Sequence, residues 1–340
     1  MSRLIIQTYP DLLYSEGNDG WNTALHAARG GNIEILQLLE DHDVGVKYQN
    51  KNGWNIFNVA CFNSDLEMSR YIIQTYPDLL HSVDDDGWNG ALFAAGGRKV
   101  EILQLLADNE VDVKHKDNDG WNILHAACIM MDGMLHYRPL EEGTLKLLAE
   151  TKVDVAHQNK NGWNILNVAC VNSNLKMSRY ITEKYPDLLH SVDNYGWNAA
   201  LHAARGGNIE ILQLLEDHDV GVKYQNKNGW NIFNVACFNS DLEMSRYIIQ
   251  TYPDLLHSVD DDGWNGALFA AGGRKVEILQ LLADNEMEVK HKTKRDWNIL
   301  HVACANANLE MSRYIIQTYP DLLHNVSEDG WNTALHAARV

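Results

Sequence analysis

Fifteen histidines, five cysteines and forty-six acidic side chains in 340 residues are ample material for a metal site or a hydrolytic centre. Their spacing works against both. His26, His202 and His336 each stand five residues after a Trp-Asn pair, and His81, His190, His257 and His324 each stand seven before one. Cys61, Cys128, Cys170, Cys237 and Cys304 each stand seven after one. A reacting centre is assembled once, from dissimilar positions, whereas these groups recur in fixed slots. No His-Glu-x-x-His, paired Cys-x-x-Cys or phosphate-binding Gly-Lys-Ser/Thr sequence is present, and Gly30-Gly31 and Gly96-Gly97 read as tight turns between helices. The expectation is a non-enzymatic chain with no catalytic residue, no cofactor and no metal.

The ruler for these slots is Trp-Asn itself, at Trp21, Trp54, Trp88, Trp121, Trp163, Trp197, Trp230, Trp264, Trp297 and Trp331. The intervals are 33, 34, 33, 42, 34, 33, 34, 33 and 34 residues. A period of this length marks a small unit that cannot bury its own apolar face, so neighbours must stack into a solenoid. Residues 1–340 are expected to form one array of about ten units, with a partial unit at each end.

One unit shows how. Gly53 suits a positive-φ turn, and Asn55 is a favoured N-cap for a short helix carrying Phe57, Ala60 and Cys61 on one face. A second helix with Met68, Tyr71 and Ile72 follows, capped at Ser64 as a Ser-x-x-Glu box and stopped by Pro77. Two kinds of unit mostly alternate. One has the small stripe Ala24, Ala27, Ala28, the other the larger Phe57, Ala60, Cys61, so large residues are expected opposite small ones in successive layers.

Gly120-Trp121-Asn122-Ile123-Leu124-His125-Ala126-Ala127, with Leu147-Leu148 and Val153-Asp154-Val155 downstream, resembles the ankyrin repeat pattern Gly-x-Thr-Pro-Leu-His-x-Ala-Ala, then Leu-Leu, then a hairpin entry. The resemblance extends over essentially the whole chain. It departs by Asn for Thr, by loss of Pro, and by Asn58 or Leu25 at the His position, which brings the family's Thr-His hydrogen bonds into question. It implies an all-α fold of L-shaped helix-turn-helix units, with turn fingers on one side, a concave groove of first helices, and protein binding as the activity.

Net charge is −18, which argues against a nucleic acid or an anionic membrane and favours a basic protein partner. The apolar run Leu4-Ile5-Ile6 is too short for a signal-peptide core, and no stretch approaches the roughly 18 apolar residues of a membrane span, so the cytosol is expected. Asn325-Val326-Ser327 matches a glycosylation sequon in a chain rich in Asn. The cysteine slot reads as a buried small residue. Helices pack about 8–10 Å apart and a disulfide needs Cα atoms within about 7 Å, which leaves Cys128 and Cys170, in neighbouring units, as the one conceivable pair.

Three features could contact a partner. The tryptophans Trp21, Trp54, Trp88, Trp121, Trp163, Trp197, Trp230, Trp264 and Trp297 could pack as hydrophobic staples, Trp54 on Val59 for example, or serve as a row of anchors. The 42-residue interval inserts a loop at about 129–142, where Met130, Met131, Met134, His136, Tyr137 and Arg138 have the composition of a binding loop. The connections alternate in charge, Lys47 to Asn52 and Lys290 to Arg295 being basic, and Asp84 to Asp86 and Asp260 to Asp262 acidic. Residues 200–286 repeat 24–110 without a difference, which implies two equivalent surfaces. Two other classes stand beside a binding scaffold. One is a self-assembling structural protein whose uncapped ends dock head to tail; the other is the repeat domain of a larger channel, toxin or signalling protein.

Overall fold

The computed structural model describes residues 15–337 apart from 43–44, 64–65, 98, 129–152, 240 and 274. Ser64 and the loop residues Met130, Met131, Met134, His136, Tyr137 and Arg138 therefore lie outside the described residues. The chain divides into two compact units, Met1–Ile165 and Leu166–Val340.

In each unit short helices come in pairs. The first unit contains the pairs Thr23–Arg29 with Ile33–Glu40, Ile56–Asn63 with Leu66–Thr75, and Gly90–Gly96 with Val100–Asp108, followed by Ile123–Cys128. The helix Ile165–Val171 begins at the boundary. Beyond it come Leu175–Lys184, Ala199–Gly206 with Ile209–Asp217, Ile232–Phe238 with Leu242–Thr251, Gly266–Gly272 with Val276–Asp284, Ile299–Ala305 with Leu309–Thr318, and Thr333–Ala337. Within each unit first helices pack on first helices, Thr23–Arg29 on Ile56–Asn63 and Ala199–Gly206 on Ile232–Phe238 for example, and second helices on second helices, as Leu66–Thr75 does on Val100–Asp108 and Leu175–Lys184 on Ile209–Asp217. Among the described residues there is no β-strand, and the loops carry only isolated bridges such as Val83 with Asn89. The fold is the expected all-α helical repeat stack.

The first helices are buried on more than one side, as Ile56 through Phe62 are all in the core. A stripe of Phe57, Ala60 and Cys61 understates this, because a helix with neighbours on both flanks hides its other faces too. The second helices keep one wet face: Met68, Ser69, Ile72 and Ile73 are buried, while Glu67, Arg70 and Gln74 are exposed. Thr75 ends that helix, and Pro77, whose ring cannot continue it, opens a single 3₁₀ turn through Leu79. In the identical second copy Asp241, one residue past the Ser slot, caps the helix by accepting from the Met244 amide at 2.9 Å.

Large against small is realised at two glycines. A Cβ on Gly90 would lie 2.6 Å from Phe57 Cε1, and one on Gly266 would lie 2.6 Å from Phe233 Cε1. The phenyl ring of one layer thus occupies the space that a side chain would take in the next.

Candidate interaction surface

From Asn50 onward, the loop before a first helix is a finger built on one polar side chain four residues ahead of the tryptophan, whereas the first finger has Gly17 there and Trp21 N–H donates to Asp19 Oδ1. Asp84 Oδ1 accepts from the backbone N–H of Trp88 at 2.7 Å and of Asp86 at 3.1 Å. Asn50, Asp117, Asn159, Asp193, Asn226 and Asp260 make the same turn, and Thr293 makes it with its hydroxyl. The chain then reverses through a left-handed glycine, Gly87 at φ 86° for instance, a region that residues with a Cβ enter at a cost. One finger departs from this, with Asp296 at φ 59° where the others have Gly.

Fingers are tied to one another by their backbones. Asp85 N–H donates to Asn52 O at 3.2 Å, Asn118 to Asp86 at 2.9 Å and Lys160 to Asp119 at 2.9 Å. In the second unit Asp261 donates to Asn228 at 3.1 Å, Lys294 to Asp262 at 2.9 Å and Glu328 to Arg295 at 3.0 Å. Within each unit the linked fingers therefore hold their tryptophans at repeated positions relative to one another.

The Asn after each tryptophan is the expected N-cap. Asn55 Oδ1 accepts from Phe57 and Asn58 N–H at 2.9 and 3.0 Å, and Asn89 Oδ1 accepts from Leu92 N–H at 3.0 Å. The family's Thr-His network is replaced rather than lost. Asn58 Oδ1 accepts from the Asn55 N–H at 3.0 Å, as His301 Nδ1 does from Asn298 N–H at 3.2 Å. Whether Leu or His fills that slot, the cap amide reaches the next connection, Asn89 Nδ2 donating to Asp112 O at 2.9 Å, Asn265 Nδ2 to Glu288 O at 3.0 Å and Asn122 Nδ2 to Asp154 O at 3.3 Å.

The indoles form short aromatic rows inside each unit. Trp21 and Trp54 have ring centroids 6.3 Å apart, Trp121 and Trp163 6.2 Å, and Trp197 and Trp230 6.3 Å. Trp54 lies edge-on to Phe93 of the next repeat at 4.8 Å, matched by Trp230 and Phe269 at 4.6 Å. Own-helix contacts at i+5, the place of Val59, are seen for Trp88 with Phe93 and Trp197 with His202. Packing and partial exposure coexist: Trp88 is buried, whereas Trp21, Trp54, Trp121, Trp163, Trp197, Trp230, Trp264 and Trp297 each keep part of their surface in solvent.

The finger carboxylates join this row, and their part in it is not visible in charge counts. Trp88 Nε1 donates to Asp117 Oδ2 at 2.9 Å, and the indoles of Trp54 and Trp230 stand beside Asp84 and Asp260. Burial pushes Asp84, Asp117 and Asp260 above the ordinary carboxylate range, and the indole and amide donors pull the other way. The signal that could have found them is their fixed distance of four residues before Trp. In each acidic triplet the first Asp is buried, while Asp85, Asp86, Asp261 and Asp262 are exposed.

Several histidines tie the repeats together. His115, His157 and His291 donate through Nε2 to the carbonyls of Gly87, Gly120 and Gly263 at 2.7, 2.8 and 2.9 Å. His125 donates to Trp163 O at 2.9 Å, and burial lowers its pKa to about 4. His26 is exposed, whereas its duplicate His202 is buried and lies 3.2 Å from Asp193 Oδ2, a residue whose place in the first copy is taken by Gly17. Among the described residues no group of His, Cys, Asp and Glu is arranged to hold a metal ion, and no helix is long and apolar enough to cross a membrane. All five cysteines are free thiols. Four are buried as expected, but Cys304 is partly exposed, its Sγ 3.7 Å from Ser312 Oγ.

Charge on the fingers alternates as the sequence suggests. Lys47, Lys223 and Lys290 each pair with the Asp of the following Tyr-Pro-Asp, at 2.5 Å to Asp78, 2.8 Å to Asp254 and 2.8 Å to Asp321. These pairs are exposed and contribute little to stability.

The sequence profile described as Ankyrin repeats (3 copies) matches residues 140–224, 186–257 and 202–293. The chain is 28% identical over 140 residues to the ankyrin repeat and KH domain-containing protein mask-1 of Caenorhabditis elegans, a stretch covering 41% of this chain and 5% of that protein. It is 31% identical over 99 residues to the putative ankyrin repeat protein YahD of Escherichia coli, 29% of this chain and 49% of YahD. Over 173 residues it is 27% identical to the probable 26S proteasome regulatory subunit p28 of Saccharomyces cerevisiae, 49% of this chain and 74% of p28. The aligned part thus spans a twentieth of the first relative and about half of the second. Residues 140–293 match the ankyrin repeat profile, and the 33-residue period, the paired helices and the linked fingers carry the same kind of unit along the described chain.

Proposed function

We propose that this chain is a non-enzymatic, cytosolic scaffold that binds protein partners through the finger-to-helix junctions where the tryptophans stand. Ankyrin repeats are in general protein-interaction modules, so the class of activity follows from the family. The observation that carries the choice of face is the row of part-exposed indoles. A large aromatic that is anchored by neighbours and still partly wet loses little conformational entropy on binding and offers apolar area, as hot-spot residues do. The inserted loop at 129–142, with Met130, Met131, Met134, His136, Tyr137 and Arg138, is a second contact on compositional grounds.

Affinity capture followed by mass spectrometry tests the reading, comparing the native chain with Trp121→Ala/Trp163→Ala and with a loop deletion. Helical circular dichroism confirms that each variant is folded. Loss of captured proteins with the tryptophan variant supports the face; an unchanged set overturns it. Head-to-tail self-association is a separate reading, favoured by the exposure of Leu309 (71%) and Leu335 (50%) in the last repeats. Sedimentation across a wide concentration range decides it, and a strictly monomeric chain at high concentration rules it out.

A further inference from the structure

Three observations at the same junctions point to the chemistry of the partner. First, Asp84 accepts from the Trp88 backbone N–H at 2.7 Å beside the Trp54 indole, and Asp260 accepts from the Trp264 backbone N–H at 2.7 Å beside the Trp230 indole. Both carboxylates are buried, yet all of these donors are neutral, and no Lys, Arg or His forms an ion pair with either among the described residues. Second, Asp85, Asp86, Asp261 and Asp262 add exposed negative charge beside them. Lys51 and Lys227 turn to the preceding finger, Lys51 Nζ lying 2.8 Å from Asn18 O and Lys227 Nζ 2.8 Å from Asn194 O, so that only the second site has a finger lysine, Lys294, on one of its Asp backbones among the described residues. Third, the chain already seats one cation on the row, the Arg29 guanidinium lying 5.8 Å from the Trp21 ring centroid. An indole face attracts a guanidinium, and a half-desolvated carboxylate strengthens the attraction.

We propose that segments 54–88 and 230–264 form two sites of the same chemistry for an arginine-bearing extended segment, the guanidinium seated on the indoles beside Asp84 or Asp260. This rests on the tryptophan row being the binding face. The two sites follow from identity, since both lie within the duplicated stretch 24–110 and 200–286, one copy in each compact unit. Their flanks differ. In the first unit Asp117 continues the row, whereas in the second the next finger has Thr293, and Lys294 Nζ donates to Asp261 O. The first site is therefore the tighter. Adjacent repeats stack about 10 Å apart and an extended chain advances about 3.4 Å per residue, so arginines three residues apart reach Asp84 and Asp117 together.

The probe is the peptide acetyl-(Arg-Gly-Ser)4-amide, titrated calorimetrically into the full chain at low ionic strength, with its citrulline counterpart as the uncharged control. The expected result is two peptides per chain, with binding of the citrulline peptide at least about ten-fold weaker, the difference of roughly 1.4 kcal/mol that one lost charge contact represents. Asp84→Asn leaves one peptide per chain, and Asp84→Asn/Asp260→Asn leaves none, although only two of forty-six acidic side chains are changed. These variants keep the finger, because Asn50 and Asn226 already make the same turn. Equal binding of the citrulline peptide, a native stoichiometry of one, or an unaltered titration of the double variant overturns the proposal. If Trp121→Ala/Trp163→Ala loses its captured proteins while the arginine peptide fails to bind, this inference falls and the choice of face stands; an unchanged captured set fells both.

Discussion

Replacing Gly90 and Gly266 by Ala, one in each copy of the duplicated stretch, tests the stacking of large on small. The added Cβ would sit 2.6 Å from Cε1 and 3.0 Å from Cζ of Phe57 in the first copy. Carbon atoms prefer separations of about 3.5–4.0 Å, so about 1 Å of overlap must be relieved by moving a ring that is itself fully buried. Overpacking of this kind costs roughly 1–3 kcal/mol, against at most about 1 kcal/mol gained from Ala over Gly in a helix. The net expectation is a loss of about 1–2 kcal/mol per site. Shrinking the ring should relieve it, because the pair Leu166 and Ala199 already fills the two corresponding slots elsewhere in the chain. In urea titrations followed by circular dichroism, Gly90→Ala/Gly266→Ala should lower the midpoint. Adding Phe57→Leu/Phe233→Leu should cost less than the two changes separately, with a coupling of about 1 kcal/mol or more. A midpoint unchanged or raised by the Ala pair, or strict additivity, would refute the packing argument.

Other perturbations follow from single side chains. His125, buried with its pKa lowered from 6.5 to about 4, stays neutral when folded but gains a proton when unfolded. Stability it contributes above pH 6.5 is lost as pH falls toward 4, by up to about 3 kcal/mol, and His125→Asn should flatten that slope in pH-dependent melts while keeping the cap that Asn58 makes. Ala307 at φ 52° holds the place of Gly31 and Gly207, so Ala307→Gly should raise stability by roughly 1 kcal/mol, read as a higher urea midpoint. A maleimide should label Cys304 first in the native chain, because Cys170 and Cys237 are buried with thiols pushed up to about 12; equal labelling of all five would contradict the buried slot.

Much of this architecture is legible in one dimension because each unit repeats the same local instructions. Gly53, Asn55 and Pro77 mark a turn, a cap and a stop, and the structure uses each of them so. The environment of a repeated slot is harder to read, since it depends on what the neighbouring repeat presents. His26 and His202 are the same residue in the same sequence, yet only the second meets an Asp and is buried. Cys304 occupies the slot of four buried thiols and is partly exposed. The tryptophans posed a choice between staple and anchor, which a sequence cannot weigh because the rings that hold Trp54, Phe93 and Trp21, belong to other repeats. Of Asp84, Asp85 and Asp86 composition records three negative charges, and only geometry separates the buried one under the indoles from the two in water.

Hydrogen–deuterium exchange on the chain, alone and bound to a captured partner, tests most directly whether the tryptophan junctions are the binding face. Protection on binding should concentrate in the finger-to-helix segments 50–57, 84–92 and 117–124 and their counterparts 226–233 and 260–268, with the wet faces of second helices such as Leu66–Thr75 and Val276–Asp284 unchanged. Protection confined to those second helices, with the tryptophan segments exchanging as in the free chain, would contradict the account.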